Sequence, residues 1–206
     1  MKKMIVMAVL GLVGTQFAKA QVQKGDFLVG GNVGVTSTTP DKVDGSDDKT
    51  TTTTFNISPK VGYALSDKWM VGVFVDAGFA NIKDVDAGTT TKIKSHLIAP
   101  GIFVRNYHML GESKVAIFGE ANVSYGFGSV KADDTKTASL NTLEANVLPG
   151  ITYFVTKRFM LEGVFGGITY RTETEKAQPA GTPKTTTSTF DFSFTKQFQV
   201  GVSWLF

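Results

Sequence analysis

A strict alternation of apolar and polar residues near the carboxyl end constrains the fold of this chain more than any other feature. From Phe190 to Phe206 every second residue is aromatic or aliphatic, interrupted only by Lys196, and the residues between them are mostly polar or small. A β-strand points successive side chains to opposite faces, so the segment predicts a strand with one apolar face. The alternation alone fits either a soluble β-sandwich or a barrel in a membrane.

Seven earlier segments repeat the alternation. The connections between segments alternate between long polar stretches and short turns. The predicted strands cover residues 26–37, 54–65, 69–81, 93–107, 114–128, 140–155 and 159–172, followed by the closing strand. The polar stretches, rich in Thr, Asp, Lys and Gly, are 38–53, 83–92, 129–139 and 173–188, and we expect them to be solvated loops.

The predicted strands are long enough to cross a membrane at a tilt, which takes about 9–11 residues. An even strand number with alternating long and short connections is typical of bacterial membrane barrels. The sequence predicts an all-β, antiparallel up-and-down transmembrane barrel of about eight strands.

The fourth segment is the least regular of the eight. In its second half Ile98, Pro100, Ile102 and Val104 share the apolar face, whereas its first half alternates in the opposite phase. A change of phase within one strand is what a β-bulge produces, so we expect a bulge there.

The first twenty residues have the features of a cleaved signal peptide. Lys2 and Lys3 precede a short apolar run, and Ala18-Lys19-Ala20 fits the small-x-small cleavage pattern. We predict cleavage after Ala20, which leaves residues 21–206 as one barrel domain. Three of the 21 basic residues leave with the leader, so 21 − 3 = 18 bases face 18 acids. The basic pI of the whole sequence therefore does not indicate nucleic-acid binding.

Aromatic residues favour the membrane barrel over a sandwich or a lipocalin-type barrel, both of which would bury the apolar face. One set on that face lies near the short turns or the closing end: Tyr63, Trp69, Tyr153, Phe159, Trp204 and Phe206. A second set lies near the polar stretches: Phe55, Phe79, Tyr125, Phe127 and Phe190. Two aromatic girdles are typical of a barrel whose apolar face contacts lipid. On that face Lys196 either snorkels, lies at a bulge or projects beyond the membrane.

The opposite face predicts a polar network inside the barrel. Its charged members are Lys60, Asp76, Arg105, Glu120, Glu144 and Glu162. An eight-stranded barrel is just wide enough to be filled by its own side chains, and buried charges require partners. We therefore expect these residues to pair and to plug the lumen. Loose pairing through internal waters, and a narrow cation or solute path lined by acids, are the alternatives.

Little in the sequence suggests catalysis, a metal or a cofactor. The histidines are His96 and His108, and Ser95 beside His96 would point to the opposite face of a strand. There is no Cys for a thiolate site. Gly30-Gly31-x-x-Gly34 lies within an alternating strand, so it is no phosphate loop. We expect no enzyme activity, no metal and no cofactor.

The chain resembles the small OmpX/OmpA-like outer-membrane β-barrel proteins. The resemblance is carried by the leader, the related hairpins at Pro59 and Pro149, residues 103–107 and 118–121, and the closing run to Phe206. It implies an integral outer-membrane protein that contacts lipids and has no nucleic-acid partner, and we expect a monomer. It also implies an assembly signal read by the barrel-assembly machinery: Phe198, Val200, Val202, Trp204 and Phe206. No peptidoglycan-binding domain follows in this sequence, which departs from full-length OmpA proteins.

Members of this family share architecture more than activity, so the resemblance predicts function only coarsely. We expect a structural or surface role with a plugged lumen and polar loops on the cell surface. A surface adhesin or ligand-binding barrel that uses its long loops is the main alternative. A narrow pore and a lipid-modifying enzyme are further alternatives.

Overall fold

A computed structural model describes residues 22–38, 49–86, 89–133, 135–177, 184–193 and 198–206. The predicted leader, residues 1–20, lies outside this part of the chain. The described residues form ten strands: β1 (Phe27–Thr38), β2 (Lys49–Ala64), β3 (Trp69–Asp86), β4 (Thr89–Met109), β5 (Val115–Ala132), β6 (Thr135–Phe154), β7 (Phe159–Phe165), β8 (Ile168–Ala177), β9 (Lys184–Phe192) and β10 (Phe198–Leu205). The described residues contain no helix with the length and apolar character to span a membrane.

The strands form one closed antiparallel ring. Each strand from β1 to β6 pairs with the next along the chain, and β10 returns to pair with β1 from Leu28↔Leu205 to Val33↔Val200. β7 and β8 both pair with β6 and occupy a single wall position. β9 and β10 together occupy the last position, because β9 pairs with β8 and β10 pairs with β7. The ring therefore has eight wall positions, and the predicted eight-stranded antiparallel barrel is confirmed.

A β-bulge separates β7 from β8. Between the pairs Gly150↔Val164 and Val147↔Ile168, β6 advances three residues while its partner advances four. One extra residue on one strand is the definition of a bulge. A Cβ on Gly167 would lie 2.2 Å from the Val147 carbonyl oxygen, so the backbones approach here as closely as only glycine permits.

At the same level on the facing side, β9 ends at Phe192 and β10 begins at Phe198. Between the pairs Phe165↔Phe198 and Ile168↔Phe192 one side advances three residues along the chain and the other advances six. Lys196 falls between Phe192 and Phe198, outside the described residues, and the three alternatives for its side chain remain predictions.

Three of the polar stretches predicted as long loops, 83–92, 129–139 and 173–188, are mostly strand in the described residues, and for them that prediction was wrong. β3 and β4 are separated only by residues 87–88, and β5 and β6 only by residues 133–134. β8 and β9 take up much of 173–188, and of 38–53 the described residues, 38 and 49–53, belong to β1 and β2. Threonine has a high β-propensity, and a strand wetted on both faces needs no apolar alternation. The hairpins therefore continue past the point where the apolar pattern ends.

The bulge predicted in the fourth segment is also absent. β4 pairs with β3 in one unbroken register from Trp69↔Asn106 to Asp86↔Thr89. In its first half Ile93 and Leu97 lie on the inward face, while Lys94 and His96 are exposed on the outer surface. The phase reverses because this part of the hairpin carries polar residues outward, as a segment beyond the lipid does. A register shift lies instead in the β5–β6 pairing, where β6 advances two residues between Val130↔Ala138 and Lys131↔Lys136 while β5 advances one.

Apolar side chains cover the outer surface in a band. On β3 they run from Trp69 to Phe79, which are 49% and 45% exposed, and polar Asn81 and Lys83 follow on the same face. About 9–11 residues of tilted strand cross a hydrocarbon core. The band has the height and the chemistry of a lipid-facing surface, which places the polar side chains inside the barrel or beyond the lipid.

Candidate functional site

The half of the lumen nearest the short turns contains a buried cluster of charges around Arg105. Its guanidinium is fully buried and donates to Glu120 Oε2 from Nε at 2.9 Å and from Nη2 at 2.6 Å. Nη1 donates to Glu162 Oε1 at 2.6 Å and to the Tyr107 hydroxyl at 2.8 Å. Charge-assisted, two-pronged bonds of this kind fix a guanidinium in both position and orientation.

Lys60 completes this cluster from the other side of the lumen. Its Nζ donates to both carboxylate oxygens of Glu120, at 3.1 and 3.3 Å, and lies 5.2 Å from the centre of the Phe103 ring. The Arg105 guanidinium lies 4.0 Å from the centre of the Phe118 ring. We call Lys60, Arg105, Glu120 and Glu162 the interior ion cluster. Two bases face two acids, so the cluster is electrically balanced.

The cluster spans the lumen rather than running along one wall. Lys60 on β2 reaches Glu120 on β5, and Arg105 on β4 reaches Glu162 on β7. Both pairs join wall positions three apart in a ring of eight. Side chains that bond across a barrel of this width occupy its cross-section.

An apolar floor, which the sequence analysis missed, closes the barrel below the ion cluster. Its members are at most 2% exposed: Val22, Leu28, Ala64, Met70, Ala116, Phe154, Met160 and Leu205. Val22 reaches this position from the segment before β1, which is held by bonds from Gly25 N to the Ala64 carbonyl at 2.9 Å and from Lys24 N to Asp67 Oδ1 at 3.1 Å. The inward parity of Met70 and Leu205 was readable from the sequence, whereas the fold-back of Val22 was not.

The other half of the lumen contains a polar cavity of about 400 Å³. Short polar side chains form part of its lining: Asn32, Asn56, Ser58, Asn122, Ser124, Thr142, Asn146 and Gln199. Asp76 and Glu144 also line it, and Lys60 and Glu120 of the ion cluster contribute to its lining as well. We call this space the polar cavity.

One side of the polar cavity is a continuous hydrogen-bonded ladder. Asn122 Nδ2 donates to Glu120 at 3.1 Å, and Asn146 Nδ2 donates to Asn122 Oδ1 and to Glu144, both at 2.9 Å. Arg171 then bonds Glu144 at 3.5 Å and Glu173 at 3.0 Å. We call this chain of bonds from β5 to β8 the polar ladder. It connects the buried ion cluster to half-buried groups farther from the short turns.

The opposite side of the polar cavity is less completely bonded. Asp76 accepts a hydrogen bond from the Ser58 hydroxyl, and among the described residues it forms no ion pair. Asn32 is 5% exposed, and its Nδ2 donates to Gln199 at 3.4 Å, yet its Oδ1 has no partner within the described part of the chain. The six interior residues expected from sequence therefore divide three ways: four form the ion cluster, Glu144 joins through the ladder, and Asp76 stands apart.

The residues predicted for the girdle and the assembly signal lie on the outer surface. Phe198, Val200, Val202, Trp204 and Phe206 are between 44% and 63% exposed. Tyr63 and Trp69 are exposed, and Tyr153 and Phe159 are half-buried. Neighbouring rings meet in pairs, with 5.0 Å between the centres of Phe27 and Tyr63 and 5.7 Å between Phe159 and Trp204. Recognition of this row by an assembly machinery stays a prediction.

The histidines do not form a developed site in the described residues. His96 is exposed on the outer surface, and its Nδ1 lies 3.5 Å from the Ser129 hydroxyl on β5, a neighbour that the sequence analysis did not identify. His108 is exposed at the end of β4 near the short turn. No group of three or more His, Asp or Glu side chains in the described ranges is arranged to hold a metal ion.

Comparisons with known proteins agree with this architecture. The crystal structure of the outer membrane protein OprG from Pseudomonas aeruginosa matches with a TM-score of 0.56 at 16% identity, covering 92% of this chain and 99% of that one. A major outer membrane protein from Thermus thermophilus matches with a TM-score of 0.47 at 15% identity, covering 89% of this chain and 100% of that one. A search of curated proteins finds no match. At such low identity the likeness to OprG shows the fold alone, and the second match carries no argument.

The family model described as outer membrane protein beta-barrel domain matches residues 5–206, almost the whole sequence. Its extent agrees with the closed ring, the lipid-facing band and the polar interior. The protein therefore belongs to the outer membrane protein beta-barrel domain family and is an integral β-barrel of the outer membrane.

Proposed function

We propose that this protein is a non-conducting outer-membrane barrel with a structural and surface role, plugged by its own side chains. The observation that supports this most strongly is the interior ion cluster, in which Arg105 and Glu162 are buried and bond across the lumen. The apolar floor lies beneath the cluster and adds a second, chemically different barrier. An ion crossing the barrel would have to pass both layers.

The energetics of the ion cluster favour a permanent plug over a gate. Removing one partner of a buried pair costs about 3–5 kcal/mol, because the remaining charge is left without compensation. Arg105 has two carboxylate partners and Glu120 has two cationic partners. Displacing either side chain would break several such contacts at once, so an open state would be rarely populated.

Planar-bilayer conductance tests the plug directly. We expect near-zero conductance for the wild type, and also for Arg105→Ala, because the apolar floor remains in place. Gel mobility of boiled and unboiled samples provides the control that each protein has folded, so that a silent bilayer is not mistaken for a failed insertion. Large, stable conductance steps from the folded wild-type protein would overturn the proposal.

A second candidate function is the capture of an extracellular partner by the hairpins beyond the lipid band. It is supported by their regular, polar outer faces, such as Lys92 and Lys94 on β4 and the contacts Thr172–Ser188 at 3.2 Å and Thr174–Thr186 at 3.1 Å. Strands paired outside the lipid present a more fixed surface than loops do. This capture would involve the predicted stretches 38–53, 83–92, 129–139 and 173–188.

Protease treatment of intact cells distinguishes the two candidates. If the hairpins capture a partner, trimming them should abolish binding of cells to host or bacterial surfaces while the barrel stays in the outer membrane. A variant in which a two-residue Asn-Gly turn replaces residues 83–92 should reproduce the loss without protease. Unchanged binding in both experiments would leave only the structural and surface role.

A further inference from the structure

We propose that the polar cavity is a binding site for a small organic cation, a primary amine or guanidinium compound with additional hydrogen-bond donors. This goes beyond the closed barrel proposed above, which requires no ligand. The cavity of about 400 Å³ is bounded towards the short turns by the interior ion cluster. A ligand in this space would meet groups already held in place, because the polar ladder fixes one side of it.

The charge of the cavity favours a cation. In the cavity lining and in the ion cluster directly beneath it, the carboxylates of Asp76, Glu120, Glu144 and Glu162 face the bases Lys60, Arg105 and Arg171, so four acids meet three bases. The ion cluster is balanced by itself, and the excess therefore lies in the upper part of the lumen. Clefts lined by one sign of charge concentrate ligands of the opposite sign.

The bonding of the two sides indicates where the cation would lie. On the polar ladder the amide donors of Asn122 and Asn146 are already used within the protein. On the other side Asp76 accepts a hydrogen bond only from Ser58 among its described contacts, and it forms no ion pair with the described residues. The incompletely used group on this side is thus an acceptor. A ligand that satisfies it must bring a donor, and one that also offsets the excess acid must bring positive charge.

The positions of the two outlying acids suit a ligand with more than one donor group. Asp76 on β3 and Glu144 on β6 line the same cavity from wall positions three apart in the ring. A molecule with two donor groups between them can bond both carboxylates. This arrangement favours an organic cation over a bare metal ion.

Isothermal titration calorimetry of the folded full-length protein in detergent tests the proposal, with 1,4-diaminobutane as the probe. We expect one binding event per barrel that weakens as salt is added, and little or no binding of 1,4-butanediol, which has the same span and no charge. Equal binding of the diol would overturn the cation in favour of a neutral polar ligand. No binding of the diamine at low salt would overturn the site.

Two single substitutions locate the site. Asp76→Asn and Glu144→Gln should each reduce diamine affinity about tenfold or more, as expected for the loss of a hydrogen bond to a charged group. Glu112→Gln, which removes an exposed carboxylate at a short turn, is the matched control and should leave the affinity unchanged. An equal loss in the control would mean general surface attraction and would overturn the proposal. Magnesium binding with the same dependence on Asp76 and Glu144 would replace the organic cation with a metal.

The conductance and calorimetry experiments test the two proposals separately, so either proposal can be refuted while the other stands. A conducting barrel that still binds the diamine would refute the plug and keep the cavity site. A silent barrel that binds no diamine would do the reverse.

Discussion

The two halves of the lumen are built on the same ring of strands and are filled in opposite ways. Towards the short turns, inward side chains are long or aromatic, such as Arg105, Phe118 and Met70, and almost none of their surface is exposed. Away from the turns they are short and polar, such as Asn32, Ser58 and Ser124, and they leave the polar cavity. The strand number sets the width of the barrel, so side-chain length decides which half is closed.

The ion pairs of the two halves also differ in burial, and therefore in how much each is expected to contribute to the stability of the fold. In the Arg105–Glu162 pair both side chains are fully buried, whereas Arg171 and Glu144 are 40% and 26% exposed. Water screens the Arg171–Glu144 pair, and exposed ion pairs of this kind contribute about 0–1 kcal/mol to the free energy of unfolding. Substitutions in matched positions can therefore show whether the two halves differ in energy as they do in packing.

The largest effect is expected from Arg105→Met. The substitution retains a long side chain but leaves Glu120 and Glu162 with less compensation in a buried site, so the free energy of unfolding should fall by about 3–5 kcal/mol. Urea unfolding of the refolded barrel, followed by tryptophan fluorescence, measures it.

Arg171→Met is the matched control in the other half. It should cost less than about 1 kcal/mol, because the guanidinium is partly exposed and its partners keep contact with water. Equal losses for the two variants would mean that the ion cluster is no more important than the polar ladder, and the distinction between the halves would not hold.

Glycine substitutions probe packing without changing charge. A Cβ on Gly150 would lie 2.1 Å from Phe118 Cζ, and that ring is held between Arg105 and Tyr107. Gly150→Ala should therefore lower the unfolding free energy by about 1–3 kcal/mol, the usual cost of overpacking. A Cβ on Gly34, in the open half, would be 3.9 Å from Gln199, so Gly34→Ala should be neutral or slightly stabilising. A comparable loss at Gly34 would show that the cavity has no spare room.

The smallest effect is expected where the hairpins leave the lipid. Thr174→Val removes the exposed hydroxyl contact with Thr186 at 3.1 Å and retains a β-branched side chain. The unfolding free energy should change by no more than about 0.5 kcal/mol. A larger loss, measured in the same urea series, would show that the hairpins stabilise the barrel as well as extend it.

The alternation in the sequence was sufficient to predict the barrel and the inward direction of its charges. From Trp69 to Phe79 every second side chain points outward. Because side chains alternate between the two faces of a strand, this direction can be predicted without knowledge of tertiary contacts. The same rule placed Lys60, Arg105, Glu120 and Glu162 on the inner face. Which of them pair could not be predicted, because contacts across a lumen depend on the stagger of strands far apart in sequence.

Two further features had no usable signal in the alternation. The threonine-rich hairpins lack an apolar face because water surrounds both sides, so a pattern that depends on burial could not detect them. Val22 contributes to the floor through a bend of backbone stabilised by Ala64 and Asp67, residues that are distant in sequence. Both errors concern places where structure is determined by something other than a buried strand face.

The closing pair of strands has a consequence for how the barrel is made. Among the described pairings, those from β1 to β6 join strands that are neighbours along the chain. The β1–β10 pairing, in contrast, joins residues far apart in the sequence, such as Leu28 and Leu205. The entropy lost in joining two ends grows with the length of chain between them, and non-local pairings form late for that reason. The hairpins can thus pair one after another to form a curved sheet, and the pairing of β1 with β10 is the final step. Until that step is complete, both edge strands stay open to pairing with other chains, so the order of folding also determines when this protein is most at risk of misassembly.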